Sequence, residues 1–270
     1  MDSLLSGPVM AVSALCGLLL LVCGSRLLLY EWKDTKLFAR AFFDCQFYVM
    51  SVKVIKNFIV YGDVTKGVHL LLWDEGIQQV IFLAKTELMY SMEAYAVEFV
   101  LEGDKLCVLG IDNRSNLTCF SISVPELIPI ADVNLGVRTH KLLPLLMKPS
   151  LPAVKAPPIS SVALGAGLDG ALQLLWPAQK DVYNRLHSLD QLLNFAVAHV
   201  AGLNPQAFRL LQPLGPEPLE RQKNVVDCGL IWSYLSLDRD IQYLLAQKIG
   251  TSPDLIIENL RVIAEQTSLC

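Results

Sequence analysis

The first thirty residues alternate between short apolar runs and turn-forming pairs. Val9–Leu15, Leu18–Cys23 and residues 26–32 are each of strand length, divided by Cys16-Gly17 and Gly24-Ser25, with Gly7-Pro8 in front. Such spacing predicts three short buried strands joined by tight turns. The pattern is an apolar run, a turn bearing Gly or Asp, then a second apolar run often closing on Trp or Phe. It occupies residues 18–32 and returns at 58–73, 106–122 and 162–176. Gly24, Gly62, Gly110 and Gly165 are read as the turn glycines, and they lie about 38, 48 and 55 residues apart. Further strand-like runs fall at 47–54, 80–84 and 95–101.

A recurrence of this length overlaps the four-strand blade period of propellers. A blade held between two neighbours is apolar on both faces, so its strands read as oily without any contact with lipid. Five prolines lie within residues 144–158, which predicts a surface loop, because proline cannot donate to a sheet ladder. Beyond Pro177 the period changes. Val182, Leu186, Leu189, Leu193, Val197 and Val200 recur at three-to-four spacing, predicting a helix over 181–200. Asn204-Pro205 offers an N-cap followed by proline at the first helical position. Helices are also predicted at 219–237 and 240–249, the second closed by Gly250. Thr251 and Asp254 are placed as a capping box for a last helix reaching about 264. The expected fold class is β then α. Part of a propeller of WD40-like antiparallel blades spans 1–177, and a small helical domain spans 178–270.

Composition sharpens this picture. The 270 residues are 53% hydrophobic and 18% charged, with a mean hydropathy of +0.44 and a formal net charge of -4. Residues 3–25 carry no charge, which raises the alternatives of a signal peptide or a membrane anchor. A signal peptide carries positive charge ahead of its apolar run, whereas the only early charge here is Asp2. A spanning helix needs about 20 apolar residues in series, and the Gly-bearing breaks interrupt that series. No block of Lys and Arg appears, so nothing in the chain is built to grip a phosphate backbone alone or to act as a nuclear-import run. Seven scattered cysteines without a CxxC pair fit reduced, buried thiols better than a disulfide frame or zinc site. The four histidines lie too far apart for metal-ligand spacing. No cofactor, metal or small-molecule substrate is therefore expected.

Several site-like signals resolve to bland readings. Gly165 to Gly170 spells G-x-G-x-x-G, but a dinucleotide site needs a long helix opening at the third glycine. Here a strand-like run follows and Pro177 ends it, so Asp169-Gly170 reads as a hairpin turn. The triplets at Asn113 and Asn116 match glycosylation sequons and read as a polar hairpin turn. Cys228 with His187 or His199 is the one conceivable nucleophile–base pairing, against a simpler reading as a core thiol and surface histidines. Asp238, Arg239 and Asp240 form a charged helix start. Trp32 and Trp73 could stack on RNA bases, yet without flanking basic residues they read as packing or blade-edge residues. No catalytic, cofactor-binding or metal residue is assigned.

Two tail runs, His199 to Leu211 ("HVAGLNPQAFRLL") and Ala246 to Leu260 ("AQKIGTSPDLIIENL"), resemble the helical C-terminal segment of the large subunits of the cleavage and polyadenylation specificity factor. "VKVIKNFIVYGDVTKGVHLL" (52–71) and "AFFDCQFYVMSV" (41–52) resemble the last propeller of that family, while the Pro-rich loop and residues 212–224 match poorly. The resemblance implies a non-enzymatic scaffold of nuclear pre-mRNA 3′-end processing. Its implied partners are a WD-repeat subunit and a zinc-finger subunit that read the polyadenylation signal, with pre-mRNA contacted mainly indirectly and no membrane involved. Related propeller scaffolds in splicing and damaged-DNA-binding complexes are the alternative. Family members are several times longer, with two further propellers ahead of this region. An isolated chain of this kind would leave strand edges and apolar faces in water, so poor solubility is expected.

Overall fold

The structure, a computed structural model, describes residues 7–87, 92–102, 105–146, 161–197, 202–213 and 219–267. The predicted opening strands form as β1 (Val9–Leu15), β2 (Leu18–Cys23) and β3 (Arg26–Lys33), and β4 (Lys36–Asp44) completes an antiparallel sheet in sequence order. β5 (Val49–Ile55), β6 (Phe58–Asp63), β7 (Gly67–Asp74) and β8 (Gln79–Thr86) form the second sheet the same way. β9 (Ala94–Glu102), β10 (Lys105–Asp112), β11 (Asn116–Ser123) and β12 (Glu126–Asn134) form the third. A short parallel pairing of Glu126 with Lys85 and Leu127 with Thr86 stitches the third sheet to the second. β13 (Thr139–Leu146), β14 (Ser161–Gly167) and β15 (Leu172–Leu175) make a three-stranded fourth sheet. Among the described residues no helix is long and apolar enough to cross a membrane.

The sheets stack face to face, with their first strands adjacent: β1 packs on β5, β5 on β9 and β9 on β13. Between the first and second sheets lie Leu20, Val22, Leu27 and Leu29 against Ile59, Tyr61, Leu71 and Trp73. Val60, Leu70 and Ala84 of the second sheet meet Val97, Val108 and Phe120 of the third. Ile111, Leu117 and Val133 of the third meet Leu142 and Ala163 of the fourth. Alternate residues of β6, such as Ile59 and Val60, thus serve two different cores. Two-sided burial explains the near-continuous apolar runs, which a half-exposed sheet would break into alternation.

Three of the four glycines read as turn residues occupy strand interiors instead. Gly62 is in β6, Gly110 in β10 and Gly165 in β14, and only Gly24 sits in a turn, with φ +60°. For Gly62 and Gly110 the reason is close approach between sheets. A Cβ on Gly62 would lie 2.6 Å from the Ala94 carbonyl oxygen, and one on Gly110 would lie 3.0 Å from Met92 and Val68 side-chain atoms. The expected proline loop also starts later than predicted, since Pro144 pairs with Ala163 inside β13. β13 is the edge of its sheet, the place where a missing N–H is tolerated. Residues 147–160 of that expected loop lie outside the described residues.

The helices follow as α1 (Lys180–Ala196), α2 (Pro205–Phe208), α3 (Cys228–Trp232), a 3₁₀ turn at Ser233–Ser236, α4 (Arg239–Ile249) and α5 (Pro253–Thr267). Leu186, Leu189 and Leu193 of α1 pack with Ile231, Tyr234, Leu245, Ile256 and Leu260 in a separate core. Val197 is already extended, so α1 ends short of the predicted Val200, which lies outside the described residues. Asn204 caps α2 by accepting from the Gln206 N–H, and Gly250 closes α4 at φ +81°. Of the helix predicted over 219–237, only residues from 228 onward are helical. Lys223 instead exchanges both backbone hydrogen bonds with Asp132 at 3.0 and 2.9 Å, a tertiary pairing that overrides the local apolar spacing. The expected Thr251–Asp254 capping box does not form: Ser252 Oγ accepts from the Leu255 N–H at 3.4 Å as a simple N-cap, while Thr251 Oγ1 is buried without a partner.

Candidate functional site

No assembled catalytic constellation emerges from the candidates. The G-x-G-x-x-G segment is a β14–β15 hairpin. Asp169 Oδ1 accepts from the Ala171 N–H at 2.9 Å and Gly170 takes φ +88°, so no helix N-terminus faces a phosphate. Cys228 is exposed at the start of α3 and is not the core thiol expected, because the first turn of this short helix lies outside the helical core; local desolvation, followed by the Asp227 and Asp190 carboxylates, still pushes its thiol above the ordinary value, the opposite of an activated thiolate. His187 stacks on Tyr183 with centroids 5.5 Å apart, and His199 lies outside the described residues. Among the described residues no group of three His, Cys, Asp or Glu side chains could hold a metal ion. Trp73 is buried in the first inter-sheet core, whereas Trp32 is 66% exposed.

An open cleft of about 520 Å³ lies where the β1–β2 turn meets the β5–β6 and β7–β8 turns, lined by Cys16, Lys56, Asn57, Trp73, Asp74 and Glu75. Cys16 Sγ donates to the Lys56 carbonyl at 3.5 Å. Desolvation and the neighbouring Glu75 push this thiol up as well, so the cleft holds no activated nucleophile.

A densely bonded polar region lies where the segment after α1 returns to the third sheet. Of the two sequon asparagines, Asn113 is half-buried, whereas Asn116 is buried and its amide donates to Asp112 Oδ2 and to the Gln212 carbonyl, each at 2.8 Å. Its Oδ1 accepts from Gln212 N–H at 3.0 Å and from Asn134 Nδ2 at 2.9 Å. The Asp112 carboxylate closes the predicted polar hairpin by accepting from the Arg114 and Asn116 N–H groups. Arg209 donates through Nη1 to the Leu135 carbonyl at 2.9 Å and through Nε to Asp227 Oδ2 at 2.7 Å. Gly136 leaves room for the Phe208 ring, since a Cβ there would lie 2.3 Å from it. Asp227 also caps α3 by accepting from the Gly229 N–H.

Behind Asp227 sits Asp190 on α1, 1% exposed, with Oδ2 lacking a hydrogen-bond partner. Burial, with the Asp227 charge second, pushes its carboxyl up to about 6. A second buried charge, Glu98 on β9, is ion-paired with Lys53 on β5, and Lys53 Nζ also donates to the Leu142 carbonyl on β13 at 2.9 Å. This pair ties together the first strands of three successive sheets. Sequence reasoning missed these groups, because each joins residues far apart in the chain. The signal available was a charge inside an otherwise apolar strand, as in "VMSVKVI" and "AYAVEFVLE".

Comparison with known proteins gives the family. A family model described as the CPSF A subunit region matches residues 2–236. Cleavage and polyadenylation specificity factor subunit 1 of Arabidopsis thaliana is 34% identical over 274 residues, covering 98% of this chain and 19% of that protein. The Drosophila melanogaster protein of the same name is 28% identical, covering 97% of this chain and 19% of its own length. Protein CFT1 of Candida albicans is 25% identical, covering 90% and 19% respectively. The chain thus spans about a fifth of the length of the curated relatives it matches.

Proposed function

We propose, because this chain belongs to the CPSF A subunit family, that it is a non-catalytic scaffold element of the nuclear machinery that cleaves and polyadenylates pre-mRNA. The observation that carries the reading is the family match over residues 2–236, joined to relatives named as specificity-factor subunits. The stack of meandering sheets supports it, read as consecutive blades of a propeller, with the helical segment clamped to the third blade by Arg209 and Asn116. Such a body offers fixed geometry and extended surface to other subunits. The partners on this reading are a WD-repeat subunit and a zinc-finger subunit that recognise the polyadenylation signal. The net charge of -4 favours indirect contact with RNA over direct gripping of its backbone.

Affinity capture of the tagged full chain from nuclear extract, read by mass spectrometry, tests the proposal. Polyadenylation-factor subunits are expected among the co-purifying proteins. Recovery of splicing or damaged-DNA-binding subunits in their place would refute it.

A further inference from the structure

The helices α1, α3, α4 and α5 pack on one another around Leu189, Ile231, Tyr234, Leu245 and Ile256. Two stretches, 203–213 and 219–227, lie between that core and the third sheet. On the sheet side Gln212 bonds to Asn116, Lys223 exchanges backbone bonds with Asp132, and Asn224 Nδ2 donates to the Ile130 carbonyl at 2.6 Å. On the helix side Gln206 Nε2 donates at 3.2 Å to Oε1 of Gln191, the residue after Asp190. Arg209 joins the two sides with a single side chain. Its Nη1 donates to the Leu135 carbonyl of the sheet side, and its Nε donates to Asp227 Oδ2, while Asp227 Oδ1 caps α3.

Asp190 sits behind this joint. It is buried on α1, its Oδ2 has no hydrogen-bond partner, and the Asp227 carboxylate acts on it as a like charge. One guanidinium thus stands beside two carboxylates and is bonded to only one of them. The other titratable groups facing Asp190 are Cys228 at the start of α3 and Tyr183 on its own helix, with His187 stacked on that ring. The α4 and α5 residues packed with α1 are Leu245, Ala246, Ile256 and Leu260, all apolar. A protonated carboxyl tolerates such a setting, whereas a carboxylate favours any opening that admits water. We infer that the Arg209–Asp227 pair is a latch between the helical core and the third sheet, and that Asp190 makes it proton-dependent, firm when its carboxyl is protonated and loosened when it ionises.

Lifting residues 203–213 and 219–227 returns Asp190 to water, where its carboxyl ionises at the ordinary 3.8 instead of about 6. The closed form therefore loses ground as pH rises from 3.8 through about 6, and the loss is complete above that. At tenfold per pKa unit the ceiling is on the order of 100-fold in the opening equilibrium, of which about tenfold falls between pH 5 and pH 8. The latch goes beyond the scaffold reading and does not depend on it.

Amide hydrogen exchange of the full chain, read by mass spectrometry and corrected for the intrinsic pH dependence of exchange, tests the latch. From pH 5 to pH 8 the opening constant for peptides in 203–213 and 219–227 is expected to rise about tenfold more than that for β6 and β7 in the sheet interior. Asp190→Asn is expected to abolish the excess. His187, Asp112 and Asp132 remain in that variant, so their titration cannot account for the loss. A wild-type chain with no excess, or an equal excess in Asp190→Asn, would overturn the inference. If the variant fails to fold, the wild-type profile decides: an excess that grows between pH 5 and about 6.5 supports the latch, and a flat profile there overturns it.

Discussion

Replacing Asp190 by Asn should stabilise the folded chain at neutral and alkaline pH and do nothing in acid. The carboxylate is 1% exposed, Oδ2 has no partner, and burial with the nearby Asp227 charge raises its folded value from 3.8 to about 6. In the unfolded chain the group ionises at its ordinary value. Between pH 3.8 and about 6 the unfolded state holds fewer protons than the folded state, so stability falls as pH rises through that window, and above about pH 6 the full penalty applies. The difference corresponds to about 3 kcal/mol at pH 8, an upper figure at 1.36 kcal/mol per pKa unit. As pH falls through 6 toward 3.8 that penalty disappears. Asn mimics the neutral form, so the gain is largest at pH 8 and vanishes near pH 4. Urea unfolding followed at 222 nm across this range, for wild type and variant, gives the comparison directly. A variant equal to wild type at pH 8, or a gain that persists unchanged at pH 4, would refute the charge-burial argument.

His69 should show the opposite dependence. It is buried against Tyr61, and burial lowers its folded value from 6.5 to about 4, so stability should fall by up to about 3 kcal/mol between those pH values; His69→Phe should flatten that limb of the profile. Lys53→Met should cost about 3–5 kcal/mol because Glu98 is left as an unpaired buried charge, and the double change Lys53→Met with Glu98→Met should recover most of the loss in the same denaturation assay. Gly62→Ala should destabilise by about 1–3 kcal/mol through overpacking against backbone, while Gly110→Ala should cost less because its nearest neighbours are side-chain ends that can move; thermal melts of the two variants rank them.

Strand lengths, the hairpins and the helix ends at Asn204 and Gly250 were legible in the sequence because each depends on a few consecutive residues. A turn residue, a cap or an apolar period acts over one hairpin or one helical turn. The strands β1 and β2 accordingly match their apolar runs residue for residue. The hairpin reading of Asp169-Gly170 and the absence of a helix after it were legible for the same reason. Two-sided burial could also be inferred, since oiliness without alternation has few other causes in a strand-length run.

Only the tertiary structure decided which partner each strand face meets. Gly62 and Gly110 pack against neighbouring sheets instead of turning the chain, a role set by residues such as Ala94 and Met92 that lie 32 and 18 positions away or on another strand. Residues 219–227 have helix-compatible spacing, yet Lys223 pairs with Asp132 across 91 positions of sequence. Lys53 and Glu98, 45 positions apart, become an ion pair only when β5 and β9 are stacked. Local patterns limit what each segment can form, but the free energy of a close contact depends on what arrives on the other side, and that is a property of the assembled stack.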